Sequence, residues 1–327
     1  MPARINVGMV DLSSNENPYG PSEEAVRAMQ DECFNSSRYA EDVTEELRAL
    51  LAVKERVAPD QIVLGLGGGM ILETFVDYLD SVRPLAGAEV VWPRPTYLRL
   101  VRKFENLGGT SVPVDLNEKM EHDLPGMAAA ITERTRCVYV CNPNNPTGTC
   151  CDPEELRRFV IEASKRCPVF LDEAYLECST DFEARTLIDL VRDGHSVCLM
   201  RTFSKIYGMA GQRIGYGVMP RDMAEGMSAL PQHMWPAGNL NRIGVVGAIA
   251  SLRSANYVKE TCAAIKAERD RLEALLGQLG RPFVTSHSNF VWFKTGTTTY
   301  SPIGLSTQLE ILHLESADAI FAWSLQG

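Results

Sequence analysis

The sequence predicts an α/β protein: a mainly parallel sheet sandwiched by helices, with a smaller α+β domain at the C-terminal end. Three observations predict it. Continuous apolar runs alternate with amphipathic helical stretches, the pattern of strands buried on both faces under covering helices. Each polar cluster falls just after such a run, at the carboxyl end of a strand, where ligands collect in sheets of this kind. From about 242 to 278 the chain reads as long helices, and from about 294 it has no clear period.

Taken in order, residues up to Pro21 are rich in Ser, Asn, Pro and Gly and form an irregular arm. Ser22 caps a helix with Glu24 and Ala25 in its first turn. A second helix covers 41–56, with Val43, Leu47, Leu50 and Leu51 on one face. "QIVLGLGGGMILETFVDYL" is a strand, a glycine turn and a helix; "AEVVWPRPTY" is a strand and a loop, followed by a helix over 97–107. "RCVYVCNPNNPTG", "CPVFLDEAY" and "SVCLMRTFSK" each run apolar until they meet polar residues. Between the first two, "DPEELRRFVIEASK" is helical, with Asp152–Pro153 as its start signal. "RPFVTSHSNFVWF" reads as a strand pair. The expected division is 1–30, an arm contributing to the small domain; 31–240, the large domain; and 241–327, interdomain helices and small domain, atypical from about 294.

Hydrophobic residues make up 45% and charged residues 23%, as in soluble globular chains. A net charge of −10 argues against nucleic acid as a partner, because there is no basic excess to neutralise phosphates. The N-terminus lacks a charged-then-apolar leader, and no apolar run approaches the roughly 18 residues of a membrane span. Neither secretion nor a membrane partner is expected. The nine cysteines are odd in number and partly set in apolar runs, so a full disulfide framework is excluded and a reducing cytoplasm expected. Their spacing resembles no zinc knuckle, and no metal is expected.

The chemistry-bearing residues each allow two readings. Gly65-Leu66-Gly67-Gly68-Gly69 between strand and helix is either a plain tight turn or a cup whose N–H groups approach an anion. Met70 rules out the dinucleotide fingerprint, and a Gly-Lys-Ser/Thr ending is missing. "NPNNPTG" is either a turn-rich connection or a rigid loop that holds an amide, best Asn145, against a ligand oxygen. Asp172 closes an apolar strand, as a helix cap or as a carboxylate needing a cation, with Tyr175 near the same pocket. Lys205, alone, is a solvated lysine; among apolar neighbours it is an amine ready to act as nucleophile or base. Together these residues meet the needs of pyridoxal phosphate: an amine for the aldehyde, a carboxylate for the ring nitrogen, donors for the phenolic oxygen, and N–H groups with an arginine for the phosphate.

From "SSNENPYGPS" through "RPTY", "NPNNPTG", "DEAY" and "RTFSKIYGMAGQRIGY" to "SHSNF", the chain resembles the fold-type I pyridoxal-phosphate aminotransferases of class I/II, most nearly the histidinol-phosphate aminotransferase family. The resemblance spans about nine-tenths of the chain, with the motifs in family order. It implies that Lys205 takes the cofactor aldehyde and shuttles protons, and that Asp172 pairs the ring nitrogen. Asn145 and Tyr175 bind the phenolic oxygen, and Tyr97 stacks on the ring. Gly68, Gly69, Ser204 and Arg213 hold the phosphate. Tyr39 reaches the neighbouring subunit's phosphate, making a homodimer with shared sites, and Tyr19 closes over the substrate. The implied reaction moves an amino group from an amino acid or amino-alcohol phosphate of the histidinol-phosphate type to a 2-oxo acid. A decarboxylase or other lyase on the same scaffold, and a truncated inactive cofactor-binding homologue, are the alternatives.

The chain departs from the family pattern at Gly69 and Met70, where a polar or acidic residue is usual, and at Ala40, where proline is frequent. The family also carries an arginine in an "LRI"-like small-domain strand that grips the substrate's acid group. No arginine follows Arg281, and 294–327 does not resemble that strand. Either the substrate is held differently or the small domain is left incomplete by a tail altered through truncation, frame change or alternative processing; the match of "SHSNFVWF" immediately before the pattern ends favours the altered tail.

Overall fold

The computed structural model describes residues 13–231, 240–294 and 322–323. Two helices, α1 (Glu23–Glu32) and α2 (Glu41–Glu55), lead into the first strand, β1 (Ile62–Leu66). Then come α3 (Gly68–Val82), β2 (Glu89–Arg94), α4 (Arg99–Asn106), β3 (Thr110–Asp115), α5 (Leu124–Ala130) and β4 (Thr135–Cys141). Next are α6 (Pro153–Ser164), β5 (Val169–Asp172), the short α7 (Phe182–Arg185) and α8 (Ile188–Arg192), and β6 (Val197–Thr202). β7 (Ile214–Val218), α9 (Arg221–Ser228), α10 (Arg242–Arg253) and α11 (Ala255–Gln278) complete the main body.

The seven strands form one sheet in the order β1-β7-β6-β5-β4-β2-β3, all parallel except β7, which runs antiparallel between β1 and β6. Strand alternation divides the core in two. On β4, Cys137, Tyr139 and Cys141 face a cluster with Phe75, Leu100 and Met223, while Val138 and Val140 face one with Leu47, Leu156 and Val245. Helices therefore cover both faces, and apolar residues fill both sides of each central strand. The start signals act as their chemistry dictates. The Ser22 hydroxyl accepts from the Ala25 N–H at 3.1 Å, and the Asp152 carboxylate accepts from the Glu154 and Glu155 N–H groups at 3.0 Å each.

Some elements differ from expectation. The helix placed at 97–107 begins at Arg99, leaving Tyr97 in the loop before it. The strand pair expected over 281–293 shrinks to an antiparallel bridge between Phe283 and Phe293 and a short β8 (Val291–Trp292), which pairs in parallel with β9 (Ala322–Trp323). The serines and asparagine of 286–289 spend their hydrogen bonds on loop contacts instead of a ladder: Ser288 N–H donates to the Ser286 hydroxyl, and the Asn289 amide to the Asn15 carbonyl. The atypical tail, apart from Lys294 and β9, lies outside the described residues. All nine cysteines are free thiols. Among the described residues, no helix is long and apolar enough to cross a membrane, and no group of three His, Cys, Asp or Glu is placed to hold a metal.

Candidate active site

Neighbouring strands set the site. Cys141 of β4 pairs with Asp172 of β5, and Asp172 pairs with Met200 of β6, so the loops leaving these strands emerge side by side. Asp172 is buried. Its Oδ1 accepts from the Ala174 N–H and its Oδ2 from the Tyr139 hydroxyl, both at 3.1 Å. Burial pushes its carboxyl up to about 6, against the pull of the Ala174 N–H, the Tyr139 hydroxyl and Lys205.

Lys205 follows β6. Its Nζ donates to the Ser14 carbonyl at 2.7 Å and the Asn15 carbonyl at 3.2 Å, and lies 5.2 Å from the centre of the Tyr175 ring. Burial brings its amine down to about 8, although Cys178, Glu16 and Asp172 pull the other way. The Tyr175 hydroxyl accepts from Asn15 Nδ2 at 3.2 Å and from Asn145 Nδ2 at 3.4 Å, and its ring stands edge-on to Phe290 at 5.1 Å. The Asn145 loop is tied to the loop after β2. The Thr96 hydroxyl donates to Asn144 Oδ1 at 2.7 Å, and Asn144 Nδ2 donates to the Pro95 carbonyl and the Thr147 hydroxyl. That bracing brings half-exposed Tyr97 to the same edge of the sheet.

On the other side of Lys205, Arg213 adopts the left-handed conformation (φ 57°) at the entry to β7. Its guanidinium donates to the Ala210 carbonyl at 2.8 Å, the Leu66 carbonyl at 3.3 Å and the Ser204 hydroxyl at 3.4 Å. Ser204 is held by Thr202, whose hydroxyl donates to Ser204 Oγ and accepts from the Ser204 N–H. The glycine turn lies against this arginine. A Cβ on Gly67 (φ 78°) would come within 2.3 Å of the Arg213 guanidinium, one on Gly68 within 2.4 Å of Met200 Sδ, and one on Gly69 within 2.2 Å of the Arg99 guanidinium. At Gly67 the positive φ is what calls for glycine, whereas at Gly68 and Gly69 the missing Cβ leaves room for the ends of the Met200 and Arg99 side chains to pack against the backbone. The start of α3 thus presents bare N–H groups.

The family model for aminotransferase class I and II matches residues 7–313. This chain belongs to that family. It is 36% identical over 287 residues to the histidinol-phosphate aminotransferase of Limosilactobacillus fermentum, covering 86% of this chain and 77% of that protein. It is 35% identical over 291 residues to the aromatic amino acid aminotransferase of Mycolicibacterium vanbaalenii, covering 89% and 80%. The crystal structure of histidinol-phosphate aminotransferase from Sinorhizobium meliloti in complex with pyridoxal-5'-phosphate superposes with a TM-score of 0.79 at 30% identity, over 87% of this chain and 75% of that one.

The donor set fits pyridoxal phosphate. An amine of lowered basicity, a buried carboxylate, a phenol receiving two amide N–H bonds, and a glycine cradle beside an arginine stand along one edge of the sheet. Not every expected residue joins this set. Tyr39 stands 77% exposed beyond α1, and among the described residues its carbonyl is engaged by Arg242 at 2.9 Å. Tyr19 is 48% exposed on the arm, its N–H donating to Asn17 Oδ1.

The structure also adds residues that sequence reasoning passed over. Tyr139 supports Asp172, and its one signal was a hydroxyl in an otherwise apolar strand, which must find a partner when buried. Asn15 reaches both Tyr175 and Lys205 from the arm. Arg201, read as part of an apolar run, is fully buried in β6: it donates to Glu55 and to Glu173, the residue after Asp172, at 2.8 Å and to Thr186 at 2.6 Å.

Proposed function

We propose that this protein is a pyridoxal-phosphate-dependent aminotransferase that moves an amino group from an amino acid or an amino-alcohol phosphate of the histidinol-phosphate type to a 2-oxo acid. The observation that carries this reading is the half-buried Lys205 amine, lowered to about 8, beside Tyr175 and one strand from the buried Asp172. The cofactor supplies an aldehyde that captures amines and a pyridinium ring that absorbs electrons. Near neutral pH a workable fraction of the Lys205 amine is neutral, so Nζ would be the group that holds the cofactor aldehyde and, when free, could take up or return a proton at the substrate carbon. Asp172 holds the proton on the ring nitrogen; with its carboxyl at about 6 it is mostly ionised at pH 7. Tyr175 and Asn145 hold the phenolic oxygen, and Tyr97 covers the ring. The N–H groups of Gly68 and Gly69 with Ser204 and Arg213 hold the phosphate.

The exposure of Tyr39 supports a homodimer in which this side chain completes the partner's phosphate site. Tyr19 belongs to the substrate side. The test is a spectral screen of the cofactor-loaded protein with L-histidinol phosphate, aromatic amino acids and small amino acids, followed by addition of 2-oxoglutarate. We expect the visible band to be lost with the true donor and restored by the 2-oxo acid. Carbon dioxide release without band recovery would overturn transamination in favour of decarboxylation. No response to any donor would leave a cofactor binder without this activity.

A further inference from the structure

The buried end of the N-terminal arm has a part in the site that the proposed function leaves unused. Asn15 is 3% exposed and holds a left-handed backbone (φ 51°), which asparagine tolerates better than most residues. Its carbonyl accepts from Lys205 Nζ at 3.2 Å and from Asn289 Nδ2 at 3.1 Å; the Asn289 bond, which does not depend on the lysine, fixes the backbone. Its side-chain Nδ2 then donates to the Tyr175 hydroxyl at 3.2 Å, and Asn145 Nδ2 donates to the same oxygen at 3.4 Å.

A phenol oxygen has one proton to give and two lone pairs to receive with. Two amide N–H groups occupy both lone pairs, so Tyr175 can take up a further bond only by donating its proton. We infer that Asn15 is a positioning residue that commits the Tyr175 hydroxyl to act as a donor, toward the phenolic oxygen of pyridoxal phosphate. This inference rests on the cofactor reading above. Burial keeps Tyr175 protonated well beyond its ordinary range, so the proton is there to give. The other titratable groups around it are Asp172, Lys205, and the Cys141 and Cys178 thiols, and burial raises both thiols and keeps them neutral. Donors entering the Tyr175 oxygen also polarise its O–H, strengthening the outgoing bond.

A stronger bond to the phenolic oxygen favours its ionised form, so the visible band of the loaded protein titrates at lower pH while Asn15 is in place. The experiment is a spectrophotometric pH titration of the cofactor-loaded full chain, as wild type, Asn15→Ala and Asn15→Asp, each also in a Tyr175→Phe background. Asn15→Ala removes one incoming donor and should raise the midpoint by about half a unit, roughly threefold in proton affinity. Asn15→Asp keeps the shape but substitutes an acceptor that competes for the Tyr175 proton, and should raise the midpoint by about one unit, roughly tenfold. In the Tyr175→Phe background the Asn15→Ala shift should vanish and the Asn15→Asp shift should shrink to the bare effect of the charge. A merely structural asparagine would show the reverse order, with the isosteric aspartate milder than alanine, and shifts that survive in Tyr175→Phe; either result overturns the inference. Should Asn15→Asp not fold, the Asn15→Ala pair decides alone. A wild type that takes up no cofactor and shows no visible band would defeat the cofactor reading itself, whereas a titrating wild-type band insensitive to Asn15 defeats this inference only.

Discussion

Two cations near the end of β6 differ in a way that separates scaffold from chemistry. Arg201 is buried with ion pairs to Glu55 and Glu173, a bond to Thr186, and the Phe182 ring 4.8 Å away, and its carboxylate partners hold it charged despite burial. Lys205 is less buried; among the described residues its Nζ hydrogen-bonds to the Ser14 and Asn15 carbonyls, with the Tyr175 ring 5.2 Å away and no carboxylate at bonding distance, and burial brings its amine down to about 8. Burial opposes charge at both sites. What differs is the supply of carboxylates at bonding distance, and it turns one cation into a structural tie and leaves the other available to react.

The largest effect expected on this comparison comes from Lys205→Ala. It should cut amino transfer by at least about 10³-fold and abolish the visible band, while urea unfolding stays within about 1 kcal/mol of wild type. A comparable loss of stability would place Lys205 with the scaffold. Next is Asp172→Asn, which keeps the shape and the Ala174 contact but cannot hold a ring-nitrogen proton as an anion. It should lower kcat by about 10²-fold or more with a smaller change in cofactor retention, read by steady-state kinetics and gel-filtration absorbance.

Arg201→Met inverts the pattern. It strands Glu55 and Glu173 without their cation and should cost about 3–5 kcal/mol of stability in urea, with activity retained in whatever fraction stays folded. The smallest effect is a pH dependence from the same network. Burial alone would raise the Glu55 carboxyl, but Arg201 and Lys54 outweigh it and hold it at about 2. The unfolded carboxyl titrates near 4.3, so the folded state binds fewer protons between those values. The stabilisation is complete above about 4.3 and lost as pH falls toward 2, in all about 3 kcal/mol. Acid titration of unfolding should show this slope in wild type and a weaker one in Glu55→Gln.

Much of the site was legible in the sequence because the sheet converts sequence position into spatial position. Asn145, Asp172 and Lys205 each follow an apolar run, and parallel strands bring such ends together. Arg213 was legible by its distance from Lys205, though not the antiparallel β7 that it introduces. Asn15 was not legible as a site residue: its bonds to Lys205 and Tyr175 join the arm to strands far along the chain, and nothing local in "SSNENP" encodes that return. Arg201 was hidden for the opposite reason, since a fully paired arginine sits in a core strand as an apolar residue would.

The lone antiparallel strand has a consequence for how the site is held in time. The chain leaves β6 at Thr202, crosses the edge of the sheet and turns straight back as β7, so Lys205 and Arg213 ride on one short reversal clamped at both ends by the same ladder. Within it, Phe203 N–H donates to the Ile214 carbonyl and Met209 N–H to the Phe203 carbonyl. Such a reversal opens as one cooperative unit. The groups proposed for the aldehyde and for the phosphate are therefore expected to be released together, and a bound cofactor that grips both should slow amide exchange across the whole reversal instead of at either end.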